Sequence, residues 1–181
     1  MTLAERVVAL HEALDEAGVP HAFGGAIALA FATRNPRGTN DIDCNVFVPA
    51  TDPEPAIAAL PAAIARPDAL VETIARDGQV RLWWDETPVD LFFDYNPIHV
   101  QAAAHVRRVD FDGTRLPVLG PVELVVFKVM FDRGRDWVDV EDVISAGAVD
   151  LGAVRASLEE LLEPGDPRFA QLDDVERRAS A

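Results

Sequence analysis

The 181-residue chain is poor in lysine: Lys128 stands alone beside 15 arginines. With lysine so scarce, its one occurrence is less expected to be surface filler. Cysteine is as scarce, and Cys44 alone cannot form a disulfide within the chain. No apolar run reaches the roughly 18–20 residues that cross a bilayer. The opening MTLAERVVALHEALDEAG carries acids through its apolar pattern and has no signal-peptide layout. These absences lead to the expectation of a cytoplasmic protein with no membrane partner. Net positive charge is missing too. The formal charge is -15, whereas a free nucleic-acid binder shows a basic surface because phosphate contacts dominate its affinity. A nucleic-acid substrate would need a local basic patch or a metal-assisted site. Acidity by itself mostly serves solubility.

What is present is a hydrophobic fraction of 49%, enough for a sizeable core and against global disorder. The length suits one compact domain, or a domain with a small helical appendage. Leu3, Val7, Leu10 and Leu14 recur at helical spacing, which predicts a helix over 3–17 that Gly18 ends and Pro20 keeps from continuing. HAFGG reads as a short buried strand, AIALAFAT as a helix starting at the glycines, RNPRGTN as a loop and DIDCNVFV as a strand closed by Pro49. Residues 49–68 hold five prolines, with a helix expected near 55–65 and Pro61 as its kink or break. Beyond them three strands are expected, 70–76, 79–84 and 88–94, with Asp77–Gly78 as the first hairpin turn and DETP as the second.

The remainder reads as a short helix in IHVQAAAHV and a hairpin around Asp112–Gly113. A helix opened by Pro121 follows, then one through WVDVEDVIS that Gly147 ends, then two more near 150–162 and 167–178. The fold class expected is α/β or α+β: a mixed β-sheet flanked by helices, with a helical C-terminal part. The domain division expected is an α/β core over 1–120 and a helical subdomain over 121–181.

The chemistry concentrates in FGGAIALAF and TNDIDCNVFV. Strand alternation puts Asp41, Asp43 and Asn45 on one face and Ile42, Cys44 and Val46 on the other. Carboxylates two residues apart, roughly 6–7 Å along a strand, repel unless a cation lies between them. A hard divalent ion such as Mg²⁺ takes such oxygens and keeps its other places for water or substrate phosphate. The plain alternative is a polar strand end, with Asp41 capping the loop and Asp43 facing solvent. Gly24 and Gly25 precede a helix directly, where exposed amides favour anionic oxygens; they could equally make a tight turn. Asp90 in PVDLFFDY is a third acid in an apolar run, opposite in face to Val89, Leu91 and Phe93. If its strand lies beside the first, it completes a three-carboxylate site.

These residues resemble the signature of the DNA polymerase β-like nucleotidyltransferase superfamily. That signature is a glycine pair opening a helix, an acid–hydrophobic–acid strand, then an acid on a later strand. Gly24, Gly25, Asp41, Asp43 and Asp90 match it in order. The form of the DID segment and the later FKVMFDRGRDWVDVEDVI resemble the minimal bacterial branch that includes abortive-infection-type nucleotidyltransferase toxins. Lys128, Arg133, Arg135, Asp136 and Asp139 occupy comparable places there. The resemblance spans roughly residues 15–147.

It implies a nucleotidyltransferase-like fold in which Asp41 and Asp43 bind the metal, Mg²⁺ or Mn²⁺, and Asp90 is a metal ligand or general base. Gly24 and Gly25 would cradle a nucleoside triphosphate, and Lys128 would neutralise phosphate charge unless it merely pairs with Asp132 on the helix surface. The activity implied is transfer of a nucleoside monophosphate from an NTP to a hydroxyl of tRNA, a protein or a small molecule. A toxin with an antitoxin partner is one setting. A resistance enzyme acting on an aminoglycoside-like drug is another, since an acidic surface suits a cationic drug. The alternative is a catalytically silent nucleotide-binding or regulatory module of the same fold.

Arg34 and Arg37 could reach phosphate from their loop or stay solvated. Of Trp83 and Trp84, one is expected in the core. His11, His21, His99 and His105 show no metal spacing, and Cys44 reads as a small core residue.

Overall fold

The computed structural model describes residues 1–180. Its six strands form one mixed sheet in the order β3-β4-β2-β1-β6-β5. They are β1 (His21–Phe23), β2 (Ile42–Pro49), β3 (Gln79–Trp84), β4 (Thr87–Asp94), β5 (Arg107–Phe111) and β6 (Thr114–Val118). The helices are α1 (Leu3–Glu16), α2 (Gly25–Thr33), α3 (Glu54–Ala59), α4 (Leu70–Asp77), α5 (Pro97–Ala104), α6 (Pro121–Phe131), α7 (Gly134–Ser145), α8 (Leu151–Leu161) and α9 (Pro167–Ala179). Among the described residues no helix is long and apolar enough to cross a membrane.

Local chemistry sets most boundaries. Thr2 and Glu5 form a capping box at the start of α1, each side chain taking the other's backbone amide at 3.2 and 2.7 Å. Pro121 opens α6, where its missing N–H costs nothing. Asp150 and Asp166 cap α8 and α9 through their carboxylates. Within the sheet, β2 and β4 run parallel at the centre, while β1 lies antiparallel to β2 and parallel to β6. The alternation expected of these strands is observed. Ile42, Cys44 and Val46, with Val89, Leu91 and Phe93, are completely buried, and they stand on the face opposite Asp43 and Asp90. α2 and α6 pack together over the aspartate side, where Phe131 of α6 meets Phe92 of β4 with ring centroids 5.6 Å apart.

One expected strand is a helix. Residues 70–77 form α4, with Leu70 and Ile74 buried one helical turn apart. Gly78 ends it at φ +66°, donating its amide to Ile74 at 2.8 Å as a left-handed C-cap. The Asp77–Gly78 pair is therefore a helix stop, and the ring of Tyr95 fills the space beside Gly78 that a Cβ would need. The helix expected near 55–65 is only α3, ended before Pro61. The helix expected through WVDVEDVIS begins earlier, at Gly134, as α7.

Candidate active site

The ends of β2 and β4 carry the candidate carboxylates. Parallel pairing sets Asp43 directly against Asp90, and Asp41 precedes β2 by one residue. Both strands bury their apolar face, so the aspartates are forced onto the other, where the sheet opens into a cleft of about 1040 Å³. Gly25, Ala26, Arg37, Asp41, Asp43, Asp90, Lys128 and Arg133 all line it. The condition set by the sequence, that the Asp90 strand lie beside the Asp41–Asp43 strand, is met.

Gly24 and Gly25 form the opposite lip. The Gly24 amide donates to Asp43 O at 2.9 Å, extending the sheet ladder one residue past β1. The chain then turns sharply into α2, with Gly25 at φ +49°. A Cβ on Gly25 would lie 1.7 Å from Oδ2 of Asp43. No side chain caps α2, so its first amides face the cleft without a side-chain acceptor, as an anion site requires. The glycines and the aspartates are thus in van der Waals contact, and only glycine permits it.

Electrostatics follow from this crowding. Burial, then the neighbouring Asp41 and Asp90, push the Asp43 carboxyl up to about 6, with Lys128 and Arg133 opposing. Asp41 accepts a hydrogen bond from the Thr39 hydroxyl. Asp90 is held on both oxygens by Arg81 of β3, with Nε and Nη2 donating at 2.7 and 2.6 Å. The donor chemistry of the three carboxylates fits a hard divalent cation. Asp41, Asp43 and Asp90 would hold it, and such an ion would relieve the repulsion that, after burial, raises Asp43. Their side chains do not converge on one point: among the described residues no three acidic, histidine or cysteine groups are so gathered. The oxygens of Asp90 are turned to Arg81 instead.

Lys128 is buried on α6 and points into α7. Its ammonium donates to Asp139 at 2.5 Å and lies 3.4 Å from Asp136. Arg37 reaches Asp139 at 3.1 Å from the loop before β2, and Arg133 donates to Asp136 at 2.6 Å. The surface pair Lys128–Asp132 does not form; Asp132 accepts from the indole of Trp137 at 2.7 Å. Three cations against two carboxylates leave this cluster one net positive charge beneath the cleft. Arg37 therefore belongs to the cleft, whereas Arg34, in the left-handed conformation after α2, lies outside its lining.

Other residues fall away from the site. Trp84 is buried and Trp83 is exposed on the edge strand. Cys44 is buried, its thiol pushed far up by desolvation. His11 and His21 bond to each other within the fold at 2.9 Å. Arg81 is the residue that sequence reading missed. Its signal was present: counting outward from the DETP turn pairs Trp84 with Thr87 and hence Arg81 with Asp90.

No protein-family model matches the sequence, and comparison with curated protein sequences gives no match. Solved structures do match in shape. ANT(2″)-Ia, an antibiotic-resistance factor, superimposes in its complex with adenylyl-2″-tobramycin with a TM-score of 0.55 at 12% identity, over 98% of this chain and 99% of that one. Its solution structure gives 0.51 at 13% identity, over 98% and 92%. An antigenic nucleotidyltransferase-like protein from Paracoccidioides brasiliensis gives 0.52 at 15% identity, over 94% and 92%. The chain has the DNA polymerase β-like nucleotidyltransferase fold.

Proposed function

We propose that the protein is a metal-dependent nucleotidyltransferase, moving a nucleoside monophosphate from an NTP to a hydroxyl acceptor. One observation carries this reading. Gly25 is pressed so close to Asp43 that a Cβ there would lie 1.7 Å from its carboxylate, and Asp43 itself faces Asp90 across two parallel strands. An amide lip and a carboxylate wall thereby share one cleft.

The uncapped amides of α2 would take the polyphosphate of the NTP. Asp41, Asp43 and Asp90 would hold Mg²⁺ or Mn²⁺, which supplies charge neutralisation at the phosphoryl oxygens when bound. The acceptor oxygen attacks the α-phosphorus, a new P–O bond forms, the bond to the β-bridging oxygen breaks and pyrophosphate leaves. The acceptor proton leaves as the new bond forms, and Asp90, if it is not itself a metal ligand, is the carboxylate that would take it as general base. Lys128, pinned between Asp136 and Asp139, contributes through the net positive charge of its cluster to the field on the phosphates.

The formal charge of -15 supports a cationic small molecule as acceptor over an exposed RNA groove. The ANT(2″)-Ia complex, which contains an adenylylated tobramycin, points the same way. A toxin modifying tRNA or protein, with an antitoxin partner, is the competing setting for the same chemistry. The full grip of Arg81 on Asp90 is the observation that favours a silent nucleotide-binding module.

The test is label transfer from each α-labelled NTP to aminoglycosides, to bulk tRNA and to protein, in the presence of Mg²⁺. Transfer to the drugs, abolished by Asp41→Ala and Asp43→Ala, is expected. Turnover that survives both changes sinks the mechanism. Tight nucleotide binding with no transfer to any acceptor would select the silent module.

A further inference from the structure

The β3–β4 hairpin pairs Arg81 with Asp90, and the β2–β4 pair sets Asp90 against Asp43. Cation, shared carboxylate and second carboxylate thus lie in one row across three strands. The Arg81 fork occupies both Asp90 oxygens at once, the strongest way a guanidinium holds a carboxylate. It is not a buried tie. The Arg81 side chain is 54% exposed and that of Asp90 15%, so the guanidinium reaches in from the solvent edge of the cleft. The field of Asp41 and Asp43 also acts on it. The neighbouring cations are committed elsewhere: Lys128 and Arg37 to Asp139, and Arg133 to Asp136. Among the described residues Arg81 is the one cationic side chain hydrogen-bonded to the carboxylate trio.

Resting on the metal-dependent reading above, we propose that Arg81 is the built-in counterion of the trio, a positioning residue that a divalent cation must displace from Asp90 in order to bind. Three aspartates crowded without a cation would repel one another and splay. The fork holds Asp90 in place on β4, turned to the guanidinium, until the ion arrives. Metal uptake is then an exchange. One Asp90–guanidinium contact is given up for one Asp90–metal contact, and the freed Arg81 stays at the cleft rim, where anionic phosphates enter. The exchange also accounts for the turned carboxylate of Asp90 within a donor set whose chemistry otherwise suits the ion.

The experiment is a titration of the full chain with Mn²⁺, following free ion by electron paramagnetic resonance and heat by calorimetry, with no nucleotide or acceptor present. Arg81→Met is expected to tighten Mn²⁺ binding by about tenfold, because both the competing fork and its charge are gone. Arg81→Lys keeps the charge and loses the planar fork, and is expected to tighten binding by a smaller factor. Arg133→Met, which removes a cleft cation bonded to Asp136, is expected to change it by less than about threefold.

Unchanged or weaker binding by Arg81→Met overturns the proposal, as does equal tightening by Arg133→Met, which would reduce the effect to bulk charge. If Arg81→Met fails to fold, Arg81→Lys decides: tightening supports the exchange and its absence refutes it. Mn²⁺ bound by the wild type with no dependence on residue 81 overturns this inference alone. Failure of every variant and of the wild type to take up Mn²⁺ overturns the metal reading itself.

Discussion

Replacing Asp43 with asparagine should make the protein more stable while removing its chemistry. Asp43 holds its proton longer in the folded chain than in the unfolded one, at about 6 against 3.8. Such a group lowers stability as pH rises: the cost is absent well below 3.8, builds between the two values and is complete above about 6. The shift corresponds to about 3 kcal/mol at pH 7.5 and to about half that at pH 5. Asparagine keeps the shape without the charge. It also needs its own hydrogen bonds, which offsets part of the gain, so a net rise of roughly 1–3 kcal/mol is expected at pH 7.5.

For a chain of this size, melting should rise by about 2–4 °C per kcal/mol. Thermal melts of wild type and Asp43→Asn at pH 7.5 and pH 5, without divalent ion, measure it, and the difference should shrink towards half at the lower pH. Saturating Mg²⁺ should then raise the melting point of the wild type alone, because only a site with its ligands intact gains from mass action. A neutral or destabilising Asp43→Asn at pH 7.5, or a gain that does not shrink on acidification, would refute the electrostatic account of the site.

Three more outcomes follow from the same geometry. Gly25→Ala puts a methyl 1.7 Å from the Asp43 carboxylate in a left-handed conformation; label transfer should drop at least about 100-fold and stability by about 1–2 kcal/mol, read by activity and urea melts. Lys128→Met strands Asp136 and Asp139 with only arginines at their edges and should cost about 3–5 kcal/mol in urea unfolding, whereas adding Asp139→Asn should recover part of it. Burial lowers the pKa of both His11 and His21, with Asp15 and Glu12 opposing and Arg108 assisting at His11. The unfolded chain therefore binds more protons below about pH 6.5. Stability should be full above that value and fall on acidification through the lowered pKa values, and His21→Gln should flatten the decline in melting temperature between pH 6.5 and 5.

The glycine pair, the acid–hydrophobic–acid strand and the faces of Asp43 and Asp90 were legible because each depends on local rules: glycine at a helix start and alternation along a strand. What local rules do not carry is which strands are neighbours. Asp90 comes 47 residues after Asp43 in sequence, and its place opposite Asp43 is set by the parallel register of β2 and β4, which depends on packing of the whole sheet. α4 was misread because Val71, Thr73 and Ile74 favour strands by composition, while the deciding pattern was Leu70 and Ile74 buried one helical turn apart. The Lys128 cluster was hidden for a related reason. Asp136 and Asp139 lie a turn apart on α7 and become partners of Lys128 only when α6 and α7 pack side by side.

The Arg37–Asp139 contact joins positions 102 residues apart, and that distance has a meaning for the newly made chain. At roughly 5–20 residues per second of synthesis, about 5–20 seconds separate the emergence of the arginine from that of the aspartate. The glycines precede that interval, the DID segment comes at its start and the third acid about halfway through it, while the helix that anchors the loop before them has yet to be made. A nascent chain would thus carry the carboxylates without the floor that steadies them. That floor would arrive only with α7, after all three carboxylates have been made.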